Sequence, residues 1–430
     1  MKKTFIYSVL TATTLLATSC NQEFLNPSAA SEQQVVNDVN GLIALANGLQ
    51  YRLTIGRASP GYALPTAIGL TTKELKVLNA GNGDEAFLET GATSVQNPNS
   101  VISNLWNQSH LVKANAETIL ANVNNVQDAG TKSGLIAYAS IFKALALGNL
   151  ATGWEQAPLA VGTNAAFVPR ADVLKSAITT LESAATALAT PVSANFTSRI
   201  VPGIDLANTI QALIARYSIM LGDYDKALAA AAKVDLTKKS AFNFDDTSRN
   251  PMFDVVFSNR NVTEPTNTDF GLPATLKPDA ADKRIAFFFQ TSSATNNLGR
   301  ASFYTANNSA IPVYLPGEIM LIKAEAHARK GNLDAAITEL NNVLTKTTDA
   351  WGIGAGLPAY AGDKSAAAIL TEIYKQRSIE LFLQGFRLED SRRFGRPGPG
   401  TADAERTRNW YPYPTTEKDN NTNTPNDPAI

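Results

Sequence analysis

The sequence predicts a mainly α protein in which paired helices form a scaffold and long loop-rich insertions carry short strands. Three observations support this reading. Apolar residues recur at helical spacing over several long segments, and two of those segments align without gaps as a helix–turn–helix repeat. The stretches between them are rich in Asn, Thr, Ser and Gly. At 430 residues, 44% of them hydrophobic, the chain is long enough to bury a large core and to divide into sub-domains.

The chain opens on an export signal. Lys2 and Lys3 give a positive start, Thr4 to Leu16 is a short and mostly apolar run, and Ala17, Thr18 and Ser19 lead to Cys20, the one cysteine in the sequence. The run is interrupted by Thr and Ser and falls short of the roughly 20 apolar residues that a membrane span needs. Small residues ending in a cysteine resemble a bacterial lipobox, with Ala17 in the place usually held by leucine. In that reading residues 1–19 are removed, and Cys20 becomes the first mature residue and carries the lipid; ordinary secretion is the competing reading. With no second cysteine, an intramolecular disulfide cannot form.

Residues 21–34 are small and polar and read as a tether followed by a helix cap. From Gln33 to Leu53 the spacing of Val35, Val39, Leu42, Ile43, Ala46 and Leu49 predicts a helix. Residues 54–100 are rich in Gly, Asn and Thr and read as long loops around a short helix. Helical periodicity returns over Val101–Val126, Gly134–Leu150, Ala171–Ala189 and Leu206–Val234. Residues 236–313 change character: polar stretches enclose the aromatic runs Phe253–Phe257 and Ile285–Phe289, which read as short strands or buried loop anchors. Helices resume at Leu315–Thr345 and Ala366–Leu383. The tail beyond Arg396 is rich in Pro, Gly and Asn, and Asp419–Asp427 reads as coil, disordered or ordered only on contact. No segment after the signal approaches a transmembrane helix by this reading. The division expected is a signal at 1–19, an N-terminal helical region at 20–235 and a C-terminal region at 236–430.

The repeat aligns Ala215–Leu228 on Ala324–Ile337. In each copy a small residue lies seven before a glycine (Gly222, Gly331), a bulky residue two after it (Tyr224, Leu333), and an alanine five after it (Ala227, Ala336). This is the logic of a tetratricopeptide-like helix pair: glycine permits the left-handed turn, and small residues let the helices approach. Ala146–Leu150, around Gly148, reads as a weaker relative. Irregular insertions replace a fixed 34-residue period, so the pairs are expected to form a wall with loops packed on one side.

The C-terminal stretch Gln376–Gly395 resembles the R-x-x-E-L-x-x-E-G-x-R-x-x-D-L-R-R-W-G pattern of the SusD/RagB family. Asn409–Pro414 with Glu417 resembles that family's terminal Y-x-P-I-P-x-x-E. Ile141–Leu159, Trp106 to Asn115, and Phe24–Pro27 resemble its upstream segments, so the resemblance runs in order over most of residues 20–420. It departs from the pattern at Gln384, at Phe394 and at Glu155–Ala157, which bears on the sugar and not on the fold. The resemblance implies a SusD-like fold and a lipoprotein anchored in the outer membrane, facing the exterior. It also implies a nutrient ligand, most often an oligosaccharide, and a SusC-like TonB-dependent transporter as partner. Within the motif, Arg377, Glu380, Arg387, Asp390, Arg392 and Arg393 read as a structural network rather than an anion site, with Arg387 and Asp390 three apart on one helix.

Composition and motifs exclude several functions. With 37 basic and 38 acidic residues the chain has no basic excess for nucleic-acid binding. Its two histidines, His110 and His327, lack zinc-type spacing, and neither a nucleophile elbow nor a phosphate-binding loop occurs. No enzyme activity, cofactor or metal is expected. Carbohydrate recognition, by contrast, needs aromatic faces beside amides and carboxylates on loops held by a rigid frame. The candidates are Tyr62, Asn79, Asn82, Asp84, Phe303, Tyr304 and Trp351, whereas Trp106 and Trp154 read as core. Two other functions compete with nutrient capture: an assembly or adhesion scaffold with no small-molecule site, and a surface glycosidase using a carboxylate pair.

Overall fold

The structure is a computed structural model that describes residues 32–258, 261–289 and 302–430. The signal, Cys20 and Phe24–Pro27 lie outside the described residues. The chain begins with helices α1 (Glu32–Asn37), α2 (Val39–Thr54) and α3 (Pro60–Thr71), then strand β1 (Leu75–Val77) and helix α4 (Gly83–Thr90). Next come α5 (Ser100–Asn122), α6 (Ala129–Gly153), strands β2 (Gln156–Pro158) and β3 (Phe167–Pro169), α7 (Arg170–Ala187) and the single turn α8 (Ala194–Thr197). They are followed by α9 (Leu206–Leu221), α10 (Tyr224–Ala231), β4 (Ala241–Phe242), β5 (Thr263–Pro265), α11 (Lys283–Phe288) and β6 (Ile311–Pro312). The chain closes with α12 (Pro316–Arg329), α13 (Leu333–Leu344), α14 (Ala366–Glu380), α15 (Arg387–Arg393) and α16 (Thr415–Asn420). The strands form three antiparallel two-stranded ribbons, β1–β5, β2–β3 and β4–β6.

Several helices start where the sequence supplies an acceptor for their free N–H groups. Asn99 accepts from the backbone N–H of Val101 and Ile102, Asp128 from Thr131, Asp205 from Asn208 and Asp223 from Lys226. The two aligned copies end their first helix in the same way. Gly222 and Gly331 take positive φ (82° and 79°), and the next N–H reaches back to the Ser218 and His327 carbonyls at 2.9 Å. This closes the turn that the glycines were expected to make.

Helices α5, α6, α7, α9, α10, α12 and α13 pack in succession to form the wall, and α14 packs on α12 and α13. One hydrophobic core runs from Val36 to Tyr413, and a smaller one is held between α12, α13 and α14 around Leu321, Leu340 and Ile373. Trp106 and Trp154 are each 1% exposed, with ring centroids 4.9 Å apart, deep in the main core.

Several segments differ from the sequence reading. Residues 54–100 hold two helices, and α3 is almost wholly buried. Pro60 starts it, where a missing N–H costs nothing, and Tyr62, Ala63, Ala67, Ile68 and Leu70 fill the core. The aromatic runs are helical rather than strands. Phe253–Phe257 is a π-helical turn whose start is held by the Asn250 side chain, and Asp282 accepts from the Arg284 N–H at the start of α11. Gly148 makes no turn. It lies inside α6, where a Cβ would come within 2.4 Å of the Tyr217 hydroxyl, so its role is close packing against α9. Helix α6 is long and apolar enough to cross a membrane by composition, yet 83% of its apolar window is buried inside the protein, which makes it the core helix. Asp419–Asp427 is ordered by contact: Asp427 accepts from Lys418, Asn97 and the Tyr413 N–H.

Buried charge fixes the C-terminal elements. Arg393 reaches both oxygens of Glu325 (2.8 and 2.9 Å), Asp390 (2.7 Å) and Glu389 (3.2 Å). Arg377 donates to Asp390 at 2.9 Å. Glu389 also pairs with Arg392 (3.0 Å) and with Arg170 at the start of α7 (2.6 Å). Arg392 goes on to the Thr152 and Asn409 carbonyls and lies 3.5 Å from the Trp410 ring centroid. Glu380 accepts from Arg284 (3.0 Å) and Lys346 (2.5 Å), and Arg284 also holds Asp282. The expected Arg387–Asp390 contact is not made. Arg387 donates to the Phe270 and Ser378 carbonyls and stands 3.7 Å from Glu74, because Arg377 and Arg393 already occupy Asp390.

Burial resists the charge on Asp390, Glu325 and Glu380, but their cationic partners outweigh it and hold all three carboxyls below their ordinary values. Glu74 shifts the other way, since burial raises it despite Arg387. For the three lowered groups the sign follows from the direction of the shift. Their contribution to stability is complete above about pH 4, the unfolded value, and is lost as pH falls through the lower folded values. Urea midpoints should therefore be level near neutrality and fall steeply below about pH 4. Arg393→Ala, which takes from buried Glu325 its two-pronged partner and from buried Asp390 one of its two cations, should cost roughly 3–5 kcal/mol in urea unfolding, whereas Lys175→Ala at the exposed Lys175–Asp172 pair should cost about 0–1 kcal/mol.

Candidate ligand-binding site

Two stretches that the sequence marks separately, the turn after α2 and the residues from Asn79 onward, meet at one end of the molecule. Arg57, in the turn between α2 and α3, donates to Glu85 at 2.6 Å and lies 3.5 Å from Asn82 Oδ1. Tyr62 donates its hydroxyl to the same Glu85 oxygen at 2.6 Å. Burial opposes the Arg57 charge, but the hydrogen bond to Glu85 outweighs it and raises the guanidinium above its ordinary value. Burial, with the Glu85 charge, pushes the Tyr62 phenol far up, so it stays protonated and donates to Glu85.

Asn79 and Asn82 shape the loop between β1 and α4. Asn79 accepts from the Gly81 N–H at 2.9 Å and donates to Asn261 Oδ1 at 3.0 Å, and Asn82 donates to the Asn79 and Asn261 carbonyls. Their amides are largely spent holding the loop beside the β1–β5 ribbon. Asp84, in the first turn of α4, accepts from the Ser100 N–H at 3.1 Å and from its hydroxyl, while Asn99 donates to the Asp84 carbonyl at 2.9 Å. These bonds tie the start of α4 to the start of α5.

An open cleft of about 470 Å³ lies against this junction, lined by Asp84, Phe87, Thr93, Ser94, Gln96 and Asn99, with Pro98 at its edge. Phe87 is 51% exposed, one of the few large apolar side chains on the surface. The arrangement sets one aromatic face beside a carboxylate, two hydroxyls and an amide. Its volume falls within the range of about 300–1,000 Å³ typical of small-molecule sites.

The other candidates lie elsewhere. Tyr304 is 2% exposed, donates to the Leu383 carbonyl at 2.9 Å and stacks on Phe257. It lines a cavity of about 110 Å³, below that range. Phe303 is buried edge-on against Phe287 and Trp351. Trp351 is half-buried and carries Lys239 at 5.0 Å from its ring centroid. The structure therefore brings Tyr62, Asn79, Asn82 and Asp84 to one end and leaves Phe303, Trp351 and Tyr304 outside that group. The loop stretches Tyr51–Tyr62 and Asn79–Phe87, which the sequence offers as binding candidates, contain Arg57 and Phe87 without singling either out, and sequence reasoning missed Thr93, Ser94 and Gln96. Recognising α4 as a helix would have revealed Phe87: Glu85 and Leu88 face inward, and Asp84 and Phe87 share the next face.

The described geometry defines a paired-helix scaffold with a polar surface cleft. Residues 242–429 match the model of the SusD family. Three crystal structures show the same fold. A SusD-like carbohydrate binding protein from Bacteroides vulgatus has a TM-score of 0.71 and 16% identity, over 90% of this chain and 97% of that one. A SusD superfamily protein from Bacteroides fragilis has a TM-score of 0.69 and 17% identity, over 89% and 97%. A second from Bacteroides vulgatus has a TM-score of 0.69 and 17% identity, over 91% and 98%. No curated protein sequence gives a significant match. Residues 242–429 thus carry the sequence pattern of the SusD family, and the fold of the chain is that of the SusD-like structures.

Tyr62→Phe removes one of two bonds to a buried carboxylate and leaves the ring in place. It should cost about 0.5–1.5 kcal/mol in chemical unfolding and leave glycan affinity unchanged, since the ring offers no open face.

Proposed function

We propose that the protein is a lipid-anchored receptor of the outer membrane that captures an oligosaccharide in the Phe87 cleft and delivers it to a TonB-dependent β-barrel transporter. The observation that carries the reading is the cleft itself, an exposed aromatic ring set beside Asp84, Thr93, Ser94 and Gln96 on a family scaffold. A sugar ring presents an apolar face and a rim of hydroxyls. Phe87 suits the face, and the carboxylate, hydroxyls and amide suit the rim. One related structure is that of a SusD-like carbohydrate binding protein, which supports the same ligand class here.

Capture of this kind is non-covalent. The cleft binds and releases, and the chemistry of hydrolysis is left to other proteins. Anchoring rests on the signal and Cys20, with the polar stretch of residues 21–34 read as the tether and the helix cap that follows it. The helical wall offers a broad surface for the transporter, as stacked helix pairs do in other assemblies. A metabolic label with a palmitate analogue should mark the wild type and not Cys20→Ala, and a large β-barrel should co-purify in mild detergent.

The direct test is a glycan array followed by calorimetry. Phe87→Ala should weaken binding of the best array glycan by tenfold or more, about 1.4 kcal/mol, while the melting temperature stays within a few degrees. Unchanged affinity in Phe87→Ala would contradict the cleft as the site, and release of reducing ends from the glycan would favour a glycosidase.

A further inference from the structure

A second cleft, of about 520 Å³, opens between α5, the loop 158–165 and the C-terminal helix α16, and nothing in the capture mechanism above uses it. Its walls are fixed by buried side chains. The Lys113 ammonium, 1% exposed, donates to three successive carbonyls, Pro158 (2.7 Å), Leu159 (2.9 Å) and Ala160 (3.1 Å), and so pins the loop. From the other side the tail grips the same loop. Asn421 donates to the Ala165 carbonyl and to Glu417, and the Thr422 N–H donates to Asn164. Glu417 in turn accepts from the Trp106 indole at 3.1 Å. The charged groups of the cleft are thus committed to the frame, the ammonium to carbonyls and the carboxylate to Trp106 and Asn421.

His110 differs from its neighbours. It lines the cleft, packs against Trp106 at 4.7 Å between ring centroids, and its buried Nε2 has no hydrogen-bond partner. A buried polar atom left without a partner costs about 1–3 kcal/mol, and such an atom beside a cavity of ligand size marks a place where a bound group would supply the bond. Burial, aided by the Lys113 charge, lowers the imidazole to about 3, so it stays neutral and can serve as donor or acceptor. Val161, 57% exposed, adds an apolar edge.

We infer that this cleft is a second carbohydrate subsite that takes a neutral sugar residue, with His110 bonding a hydroxyl. Neutrality follows from the charge: Lys113 and Glu417 are balanced and already paired, so no field favours an anion or a cation. The inference rests on the reading that the protein binds glycans, and it adds a place for another part of an extended chain.

The chain's two histidines make the test direct. Protein labelled at the histidine ring carbons is titrated with glucose, galactose, mannose and N-acetylglucosamine, and with glucuronate as the anionic comparison. His327→Gln assigns the His110 signals. At least one neutral sugar should shift the His110 signals saturably, glucuronate should not, and the shift should persist in Phe87→Ala. Calorimetry on His110→Phe, which keeps the packing on Trp106, should show that sugar binding about tenfold weaker. A silent His110 in the presence of a glycan bound at the Phe87 cleft would overturn the second subsite alone. So would a shift that disappears in Phe87→Ala, or a stronger response to glucuronate. No binding of any array glycan to the wild type would overturn both readings.

Discussion

The contact on which the rest of this structure depends is the pairing of Arg393 with Glu325, Asp390 and Glu389. Glu325 belongs to the first helix of the second aligned pair, and the other two acids belong to α15. One guanidinium therefore locks α15 onto the repeat wall. Glu389 extends the lock to Arg170, at the start of α7, and Arg392 extends it to the end of α6 through the Thr152 carbonyl. Charge taken out of water must be paired closely or it becomes costly, so these residues have few alternative arrangements. Such a network adds little net stability over apolar packing, yet breaking it is expensive.

Around this lock the molecule separates rigidity from recognition. The wall and the C-terminal motif are largely buried, and the motif's charged groups are paired within the protein. The short elements beside the proposed cleft are tied down by a few specific bonds: Arg57 and Tyr62 on Glu85, Asp84 on Ser100, Asn79 and Asn82 on Asn261. Loops held by a rigid frame can vary in sequence without loss of the fold, in keeping with an identity of only 16% to a structure that shares it.

The sequence made the helical pairs legible because their signals are local. Glycine at a turn, alanine at a close approach and apolar residues every three or four positions each act within one or two turns of chain. Helix α3 escaped notice because it is buried all round: Pro60-Gly61-Tyr62-Ala63-Leu64-Pro65 shows no apolar stripe, and its prolines and glycine suggest a loop. The arginine motif was legible as a structural network but not in its pairing, since Glu325, Glu74 and Arg170 come from distant parts of the chain. The site was legible only in part for a related reason. Tyr62 and Asp84 stand out as residue types, but burial decides which aromatic is available, and it assigns Tyr62 to the core and Phe87 to the surface.

The central claim is that recognition occurs in the cleft where Phe87 and Asp84 share one face of α4, outside the buried aromatic clusters. A crystal structure of the protein with its best array glycan tests this most directly. The account predicts a sugar ring lying on the Phe87 side chain with hydroxyls within bonding distance of Asp84 or Gln96. A glycan bound instead against Trp351 and Phe303, with the Phe87 cleft empty, would contradict it.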